Sequence, residues 1–91
     1  MAATVKIPAP LRRVTEGKRE VTTEAPTVGD CLKELVAAFP GLQERMLEDD
    51  GTLRRFINIY VGGEDIRFGA GLGTILRDGD DVSIVPAASG G

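Results

Sequence analysis

The segment that most constrains the fold is an amphipathic one that runs from Thr27 to Phe39. Its apolar residues recur at the three- and four-residue offsets that place side chains on one stripe of an α-helix. These residues are Val28, Cys31, Leu32, Leu35, Val36 and Phe39. Thr27 is a favourable N-cap with the acidic Asp30 three residues on, as in a capping box, and Pro40-Gly41 ends the helix. A helix with one apolar stripe has to cover another apolar surface.

Residues before this helix predict a pair of strands. Residues 4–7 alternate polar and apolar side chains, which is the period of a half-buried strand, and Pro8-Ala9-Pro10 ends it. Residues 11–15 and a turn at 16–18 then lead into a second strand over 19–23, which returns beside the first.

Three more strands are predicted after the helix. Residues 56–61 form the strongest, because β-branched and aromatic residues dominate it. Gly62-Gly63 turns the chain into a short strand over 64–68. The last strand covers residues 82–86 and is closed by Pro86, which cannot donate a ladder hydrogen bond.

Together these elements predict one two-layer α+β domain over residues 1–86. The order is two strands, the helix, then two or three strands, with further helical turns at residues 42–47 and 72–76 and a turn at 77–80. One helix stripe and one sheet face of similar width form the core of such a domain. A chain of 91 residues leaves no room for a second domain.

The residue inventory excludes most catalytic chemistry. The chain has no His and one Cys, so it cannot assemble a zinc or iron–sulfur site, or a nucleophile paired with a His. Its densest carboxylate cluster, Glu48-Asp49-Asp50-Gly51, is typical of a solvated loop rather than of a calcium loop, whose ligands alternate. We therefore expect no catalytic residue, no metal ligand and no cofactor in this chain, and no enzymatic activity of its own.

Charge and hydropathy exclude several classes of partner. The formal net charge is −3 and no run of Lys or Arg exceeds a pair, so we expect neither nucleic acid nor an anionic membrane as a partner. No segment approaches the roughly 20 apolar residues of a membrane span. The first residues lack the basic and apolar segments of a secretory signal, and one cysteine fits a reducing compartment, so we expect a cytoplasmic protein.

Three further features have a structural interpretation that is favoured over a functional one. Residues 69–73 are rich in Gly but lack the Gly-Lys-Ser/Thr ending of a phosphate loop, so they predict a turn. Cys31 could relay sulfur, yet it lies on the apolar stripe of the helix, where a small buried residue is expected. Arg54-Arg55 could contact an acidic partner, although a solvated pair is the more common arrangement.

The segment after Pro86 is where chemistry can reside. Ala87-Ala88-Ser89-Gly90-Gly91 has no charge and no large side chain, and we expect residues 87–91 to form a flexible tail beyond the folded domain. Glycine has no Cβ, so Gly90-Gly91 presents its carboxylate with little steric shielding. Joined to AMP, that carboxylate becomes a mixed anhydride that sulfide or an amine can attack. Since the chain shows no nucleotide site, a partner has to handle ATP.

Blocks along most of the chain resemble the ThiS/MoaD family of sulfur carriers. The blocks are the strand 56–61, the turn Asp78-Gly79-Asp80, the strand 82–86 and the terminal Gly90-Gly91. Residues 5–8 with Leu11-Arg12, and residues 55–68, are most similar to the CysO-type carriers of cysteine biosynthesis. The resemblance implies a ubiquitin-like β-grasp fold, in which a mixed sheet of four to five strands packs on one main helix.

The resemblance also implies a route for sulfur. An E1-like enzyme would adenylate Gly91, and a sulfur donor would convert it to a thiocarboxylate, with Ala88, Ser89 and Gly90 recognised as the tail. In the CysO-type branch a pyridoxal-phosphate-dependent cysteine synthase accepts the sulfur and a zinc metallopeptidase restores Gly91. Pyridoxal phosphate and zinc would belong to those partners and not to this chain.

Several functions stay open within this family and outside it. Molybdopterin-synthase small subunits, thiamine or tRNA sulfur carriers and ubiquitin-like modifiers activate the same glycine and differ in the nucleophile. A non-covalent interaction module with an inert tail is the alternative from another class. Family tails often carry a branched residue and Ala before the glycines, whereas this chain has Ala88-Ser89, which leaves open which partner recognises the tail.

Overall fold

A computed structural model describes residues 2–86 of the chain as one helix packed on a mixed five-stranded sheet. The strands and helices, in chain order, are β1 (Ala3–Lys6), β2 (Glu20–Thr23), α1 (Val28–Ala38), α2 (Leu42–Met46), β3 (Ile57–Val61), β4 (Glu64–Asp65) and β5 (Asp81–Pro86). Three 3₁₀ segments connect them, at Ala9–Thr15, Ile66–Phe68 and Gly71–Gly73. The sheet order is β2-β1-β5-β3-β4, with β1 and β5 parallel and the other neighbours antiparallel. The predicted α+β class is confirmed.

The core lies between α1 and one face of the sheet, as the two periodicities predict. The apolar stripe of α1 is buried except for Val36, which is half-buried. The facing sheet residues are equally enclosed; they are Val5, Ile57, Ile59, Val82 and Ile84. Leu42 and Met46 on α2 close one end of this layer, so the predicted second helical turn is also confirmed.

Backbone and side-chain bonds fix both ends of α1. The Thr27 hydroxyl accepts a hydrogen bond from the Asp30 N–H at 3.2 Å, which is the forward bond of the predicted capping box. The Phe39 N–H donates to the Leu35 carbonyl at 2.7 Å and closes the last turn before Pro40. Gly41 follows because a Cβ there would lie 3.0 Å from Cγ1 of Val14, so only glycine lets α2 approach the first 3₁₀ segment this closely.

Residues 11–15, for which no regular element was predicted, are helical, and two other short segments differ from their predictions. Residues 11–15 belong to a 3₁₀ segment, which the Leu11 N–H begins by donating to the Pro8 carbonyl at 3.0 Å. The strand predicted over 64–68 stops at Asp65, because the Asp65 side chain accepts from the Arg67 N–H at 2.8 Å and turns the chain into 3₁₀ geometry.

The helical turn predicted over 72–76 is wrong in its position. The 3₁₀ segment lies at Gly71–Gly73, and Ile75 instead forms an isolated β-bridge with Thr27. The Leu76 N–H donates to the Pro26 carbonyl at 2.9 Å in the same extended stretch. Leu76 is buried, whereas Ile75 is 59% exposed.

Candidate functional site

The strand that leads to the predicted reactive tail lies in the centre of the sheet. β5 pairs with β1 on one side, where Val5 is opposite Val82, and with β3 along its whole length on the other. Pro86, the last described residue, lies opposite Ile57. The start of the segment that continues from β5 is held by β3, because the pairing with β1 ends at Ser83 and that with β3 reaches Pro86.

Pro86 takes part in this pairing without a cost to the ladder. The Gly62 N–H donates to the Asp81 carbonyl at 3.0 Å, which marks a hydrogen-bonded pair of the antiparallel ladder. Such pairs alternate with non-hydrogen-bonded ones, so the pair of Ile57 and Pro86 is of the second kind. Pro86 therefore needs no N–H toward β3. The sequence prediction that Pro86 closes the last strand holds for its position, although Pro86 itself is paired.

An exposed surface surrounds the point where the chain leaves β5. We call it the root surface and define it by Phe56, Asn58, Val85 and Pro86. Val85 and Phe56 are 41% and 42% exposed, and Asn58 lies opposite Val85 on the face of the sheet that α1 does not cover. The sequence analysis placed Phe56 in β3, but this strand begins at Ile57, so Phe56 lies just before it. Two exposed apolar side chains beside Pro86 suit contact with another protein.

Arginine side chains fix the segment on which Phe56 lies. The Arg67 guanidinium donates to the side-chain oxygen of Asn58 and, at 2.9 Å, to the carbonyl of Arg54. Arg54 in turn donates to the Glu44 carbonyl at 2.8 Å and forms an ion pair with Glu48 at 3.3 Å. The prediction of two solvated arginines is therefore wrong for Arg54, whereas Arg55 is exposed as expected.

The four residues that the sequence analysis assigned to the site are outside this description. Ala88, Ser89, Gly90 and Gly91 all follow Pro86 and lie beyond residues 2–86, which the structure describes. The structure therefore places the strand that carries them and its surroundings, and their own roles stay predictions.

No helix between residues 2 and 86 is long and apolar enough to cross a membrane.

Cys31 is confirmed as a core residue. Its side chain is fully buried, and burial raises the pKa of the thiol to about 11, because the interior disfavours the thiolate. A hydrogen bond with Thr23 opposes this shift and the charge of Glu34 adds to it. Since the thiolate is the nucleophile, a buried thiol with this pKa is inert as a sulfur relay.

The acidic and glycine-rich segments are turns. Asp50 accepts hydrogen bonds from the Thr52 N–H at 2.9 Å and the Thr52 hydroxyl at 2.6 Å, and these bonds lower the pKa of its carboxyl. Between residues 2 and 86 no three His, Cys, Asp or Glu side chains gather as a metal site. The Gly-rich segment 69–73 forms a 3₁₀ turn, as predicted, and not the strand-to-helix junction of a phosphate loop.

The sequence analysis did not single out the root surface, although its signal is present. Asn58 and Tyr60 alternate with the buried Ile57 and Ile59, so they lie on the opposite face of the sheet, and Phe56 continues this alternation in the sequence although it lies in the turn before β3. An apolar residue at an outward position, beside the point where a functional tail begins, is the observation that could have identified this surface.

Sequence comparison relates the chain to sulfur carriers along its whole length. The statistical model of the ThiS family matches residues 5–91. Sulfur carrier protein CysO of Mycobacterium tuberculosis is 44% identical over 93 residues, and the alignment covers 100% of this chain and 100% of CysO.

Solved structures agree with the fold and with that relationship. A chain of the Amycolatopsis orientalis BexX/CysO complex matches with a TM-score of 0.89 and 39% identity, covering 99% of this chain and 100% of the other. SAMP1 from Haloferax volcanii, a small archaeal modifier protein, matches with a TM-score of 0.83 and 37% identity over 100% of both chains. The ubiquitin-like β-grasp fold is confirmed. The names CysO and SAMP1 denote a carrier and a modifier, which supports the prediction that the chain is not an enzyme.

Proposed function

This chain belongs to the ThiS family, and from that premise we propose that it is a sulfur carrier whose reactive group is the carboxylate of Gly91. The full-length similarity to CysO carries the proposal, because that alignment covers 100% of both chains and so includes the glycine pair. The proposal requires the working protein to bear its free carboxylate on Gly91, which the C-terminal peptide of the purified protein identifies.

The chemistry needs an activated acyl group. A carboxylate oxygen of Gly91 attacks the α-phosphorus of ATP, which forms an acyl adenylate and releases pyrophosphate. A sulfur nucleophile then attacks the acyl carbon, the C–S bond forms, and AMP leaves with the C–O electron pair. With sulfide as the nucleophile the product is a thiocarboxylate. Pyrophosphate and AMP are the leaving groups of the two steps, and the enzyme that binds ATP supplies the catalysis, so no side chain of this protein has to act as a catalyst.

An E1-like partner is proposed to hold ATP in this reaction. The Gly-rich segment of this chain is a turn, and Cys31 is buried with a raised thiol pKa, so neither of these offers a nucleotide site or a sulfur relay. Residues 87–91 are proposed to act as a separate tail on the folded domain 1–86. Five residues beyond Pro86 extend by at most about 17 Å at about 3.4 Å each, which suits a narrow channel in the partner.

The root surface fits this arrangement. The position of Pro86 is fixed by β3, and Phe56 and Val85 are exposed beside it. A partner that takes the tail into its channel therefore also meets an apolar contact at the channel mouth. The relative CysO has been observed in a complex with another protein, BexX, which supports a function through protein partners.

For the fate of the sulfur we propose cysteine biosynthesis, on the CysO-type blocks and the similarity to CysO. A pyridoxal-phosphate-dependent cysteine synthase would accept sulfur from Gly91, and a zinc metallopeptidase would release the product and restore the glycine. Delivery to molybdopterin, thiamine or tRNA would use the same thiocarboxylate. Incubating the thiocarboxylate with each acceptor enzyme and measuring its loss separates these routes.

A ubiquitin-like modifier is the second candidate function, and the similarity to SAMP1 favours it. In that case a lysine amine of a target would attack the activated Gly91 and form an isopeptide bond. Because the adenylate is shared, one protein can serve both functions. Tryptic peptides that carry the end of this chain on a lysine would establish the second function.

Tail variants test the proposal. The wild type, a form with one residue added after Gly91 and Gly91→Val are incubated with ATP, a cognate E1-like enzyme and sulfide, and their intact masses are recorded. The added residue moves the carboxylate by about 3.5 Å, and reacting groups tolerate misplacement of only about 1 Å. We expect only the wild type to gain the mass of one oxygen replaced by sulfur.

A matched control carries one residue added before Met1, which lengthens the chain equally and leaves Gly91 unchanged. This control should convert as the wild type does. Equal conversion of all four proteins would contradict the assignment of the reactive carboxylate to Gly91. Loss of conversion in the control as well would show that chain length and not the tail is limiting, and would also contradict it.

A further inference from the structure

A groove of about 730 Å³ lies at the end of the sheet opposite Pro86. It is formed by the β3–β4 hairpin, the second and third 3₁₀ segments and the turn before β5. The residues that matter for its chemistry are Glu64, Asp65, Phe68, Ile75, Arg77 and Asp80. We propose that this acidic groove binds a protein segment in which an apolar side chain is flanked by Lys or Arg.

The apolar part of the groove consists of side chains that the fold leaves uncovered. Phe68 is 92% exposed and Ile75 is 59% exposed, and both line the groove. Between them the floor includes Ile66, which is buried at 4% exposure. Large apolar side chains gathered around a concave surface are typical of a site that a partner covers.

The rim carries the carboxylates of Glu64, Asp65 and Asp80 and the single cation of Arg77, so its net charge is negative. The Asp65 carboxylate accepts from the Arg67 backbone N–H at 2.8 Å, and the Asp80 carboxylate accepts from the Arg77 backbone N–H at 2.8 Å. These donors are uncharged backbone amides and not cationic side chains, so these two bonds are not ion pairs. Within the described part of the chain the ion pair that forms is that of Arg54 with Glu48.

Arg77 is the cationic residue among those that line the groove, beside Glu64, Asp65 and Asp80. The acidic Asp78 lies in the turn before β5, and the acidic Asp81 is the first residue of β5. A surface of one charge sign attracts a segment of the opposite sign and excludes like-charged ones. A second copy of this chain brings the same net charge of −3, so the occupant we assign is another, cationic protein.

The groove and the root surface can be occupied at the same time. Asp80 directly precedes β5 and Pro86 ends it, so the strand separates the two surfaces by about 20 Å at about 3.4 Å per residue. A partner in the groove therefore leaves the chain free to extend from Pro86. The inference does not depend on the chemistry of Gly91, and it holds whether the tail carries sulfur, forms isopeptides or does neither.

A peptide titration tests the proposal. The probe is a blocked pentapeptide with one leucine between a lysine and an arginine and glycine at both ends, added to ¹⁵N-labelled full-length protein at low salt. Two matched peptides replace the two cations by glutamates or the leucine by serine. We expect saturable amide shifts confined to residues 61–80 with the cationic peptide, and weaker binding by both matched peptides.

Variants locate the binding energy. Phe68→Ser should weaken the cationic peptide at least about fivefold, the loss expected for an apolar anchor, and Glu64→Gln should reduce the salt dependence. Phe68 is almost fully exposed, so the fold should survive its replacement. Val85→Ser, at a 41% exposed position on the root surface, is the control and should leave the affinity unchanged.

Several outcomes would overturn the assignment. These are shifts centred on the root surface, equal binding of the glutamate peptide, no effect of Phe68→Ser, or no shift at millimolar peptide. One further contradicting outcome can come from sedimentation of the protein without peptide. A dimer that Phe68→Ser dissociates would assign the groove to a second copy and would contradict the choice of a cationic partner.

Discussion

Replacing Leu35 by alanine tests the packing of α1 on the sheet, which forms the core of the domain. Leu35 is 3% exposed and lies in the middle of α1, within the core between the helix and the sheet. Alanine has the highest helix propensity, so the substitution removes packing and does not weaken the helix itself. The Phe39 N–H still donates to the Leu35 carbonyl, because that bond belongs to the backbone.

The expected magnitude follows from what the substitution removes. Three carbon groups leave the core, which costs about 2.4 kcal/mol at about 0.8 kcal/mol for each buried group. The cavity that remains adds to this, and measured Leu→Ala changes in cores lie at about 2–5 kcal/mol. For a domain of this size about 1 kcal/mol lowers Tm by about 4–8 °C, so a loss of about 3 kcal/mol lowers it by at least about 12 °C.

Urea unfolding followed by circular dichroism measures this change. Ile75→Ala is the matched control, because it removes the same number of carbon atoms from a site that is 59% exposed. We expect the control to change the free energy of unfolding by no more than about 0.5 kcal/mol. A Leu35→Ala variant as stable as the control would refute the assignment of α1 to the core.

Three further predictions concern single positions. Cys31 should not react with a thiol reagent at pH 8 in the folded protein and should react fully in denaturant. Its pKa rises from 9.0 to about 11 on folding, so the thiol of the unfolded chain loses its proton first as the pH rises. The free energy of unfolding should therefore fall as the pH rises from 9.0 towards about 11. A thiol that reacts at the same rate in both states would be exposed. Gly41→Ala should destabilise the domain by about 1–3 kcal/mol, measured by urea unfolding, because its Cβ would press on Val14 at 3.0 Å; an unchanged midpoint would show that Val14 moves freely. Amide exchange at Gly90 should be fast in the free protein and slow with an E1-like enzyme, if residues 87–91 act as the proposed tail; strong protection without the enzyme would argue against it.

The elements that the sequence predicts correctly are those whose side chains follow one period. The stripe of α1 continues for three turns, and Ile57 with Ile59 alternates clearly enough to place β3. Burial follows directly from these patterns, because each has only one apolar face. The N-cap residue Thr27 also marks the start of α1 correctly, because its hydroxyl accepts the Asp30 N–H at the first turn of the helix.

The segments that the sequence does not predict are held by specific hydrogen bonds, some between distant residues and some local, that leave no hydrophobic period. Ile75 is apolar and was expected in a helical turn, but its neighbour Leu76 pairs with Pro26 and keeps the stretch extended. Asp65 ends β4 through a local bond that no hydrophobic period announces. The acidic groove is formed by one continuous stretch, residues 61–80, but its apolar and acidic side chains follow no period, so only the folding of that stretch shows that they line one surface.

The candidate site also has a part that the sequence predicts and a part that only the structure shows. Gly90 and Gly91 were identified from their residue type and from the family resemblance, since a tail of small residues has no period of its own. The root surface required the register of β3 and β5, because Phe56 lies 29 positions before Val85 in the sequence and only strand pairing brings it near Val85 and Pro86.

The location of the added sulfur tests the central claim most directly. The protein is incubated with ATP, a cognate E1-like enzyme and sulfide, and the intact protein and its C-terminal peptide are then analysed by mass spectrometry. The account predicts that one oxygen is replaced by one sulfur and that this change lies on Gly91. A protein that gains no sulfur, or one whose added sulfur lies on a peptide other than the C-terminal one, would contradict the account.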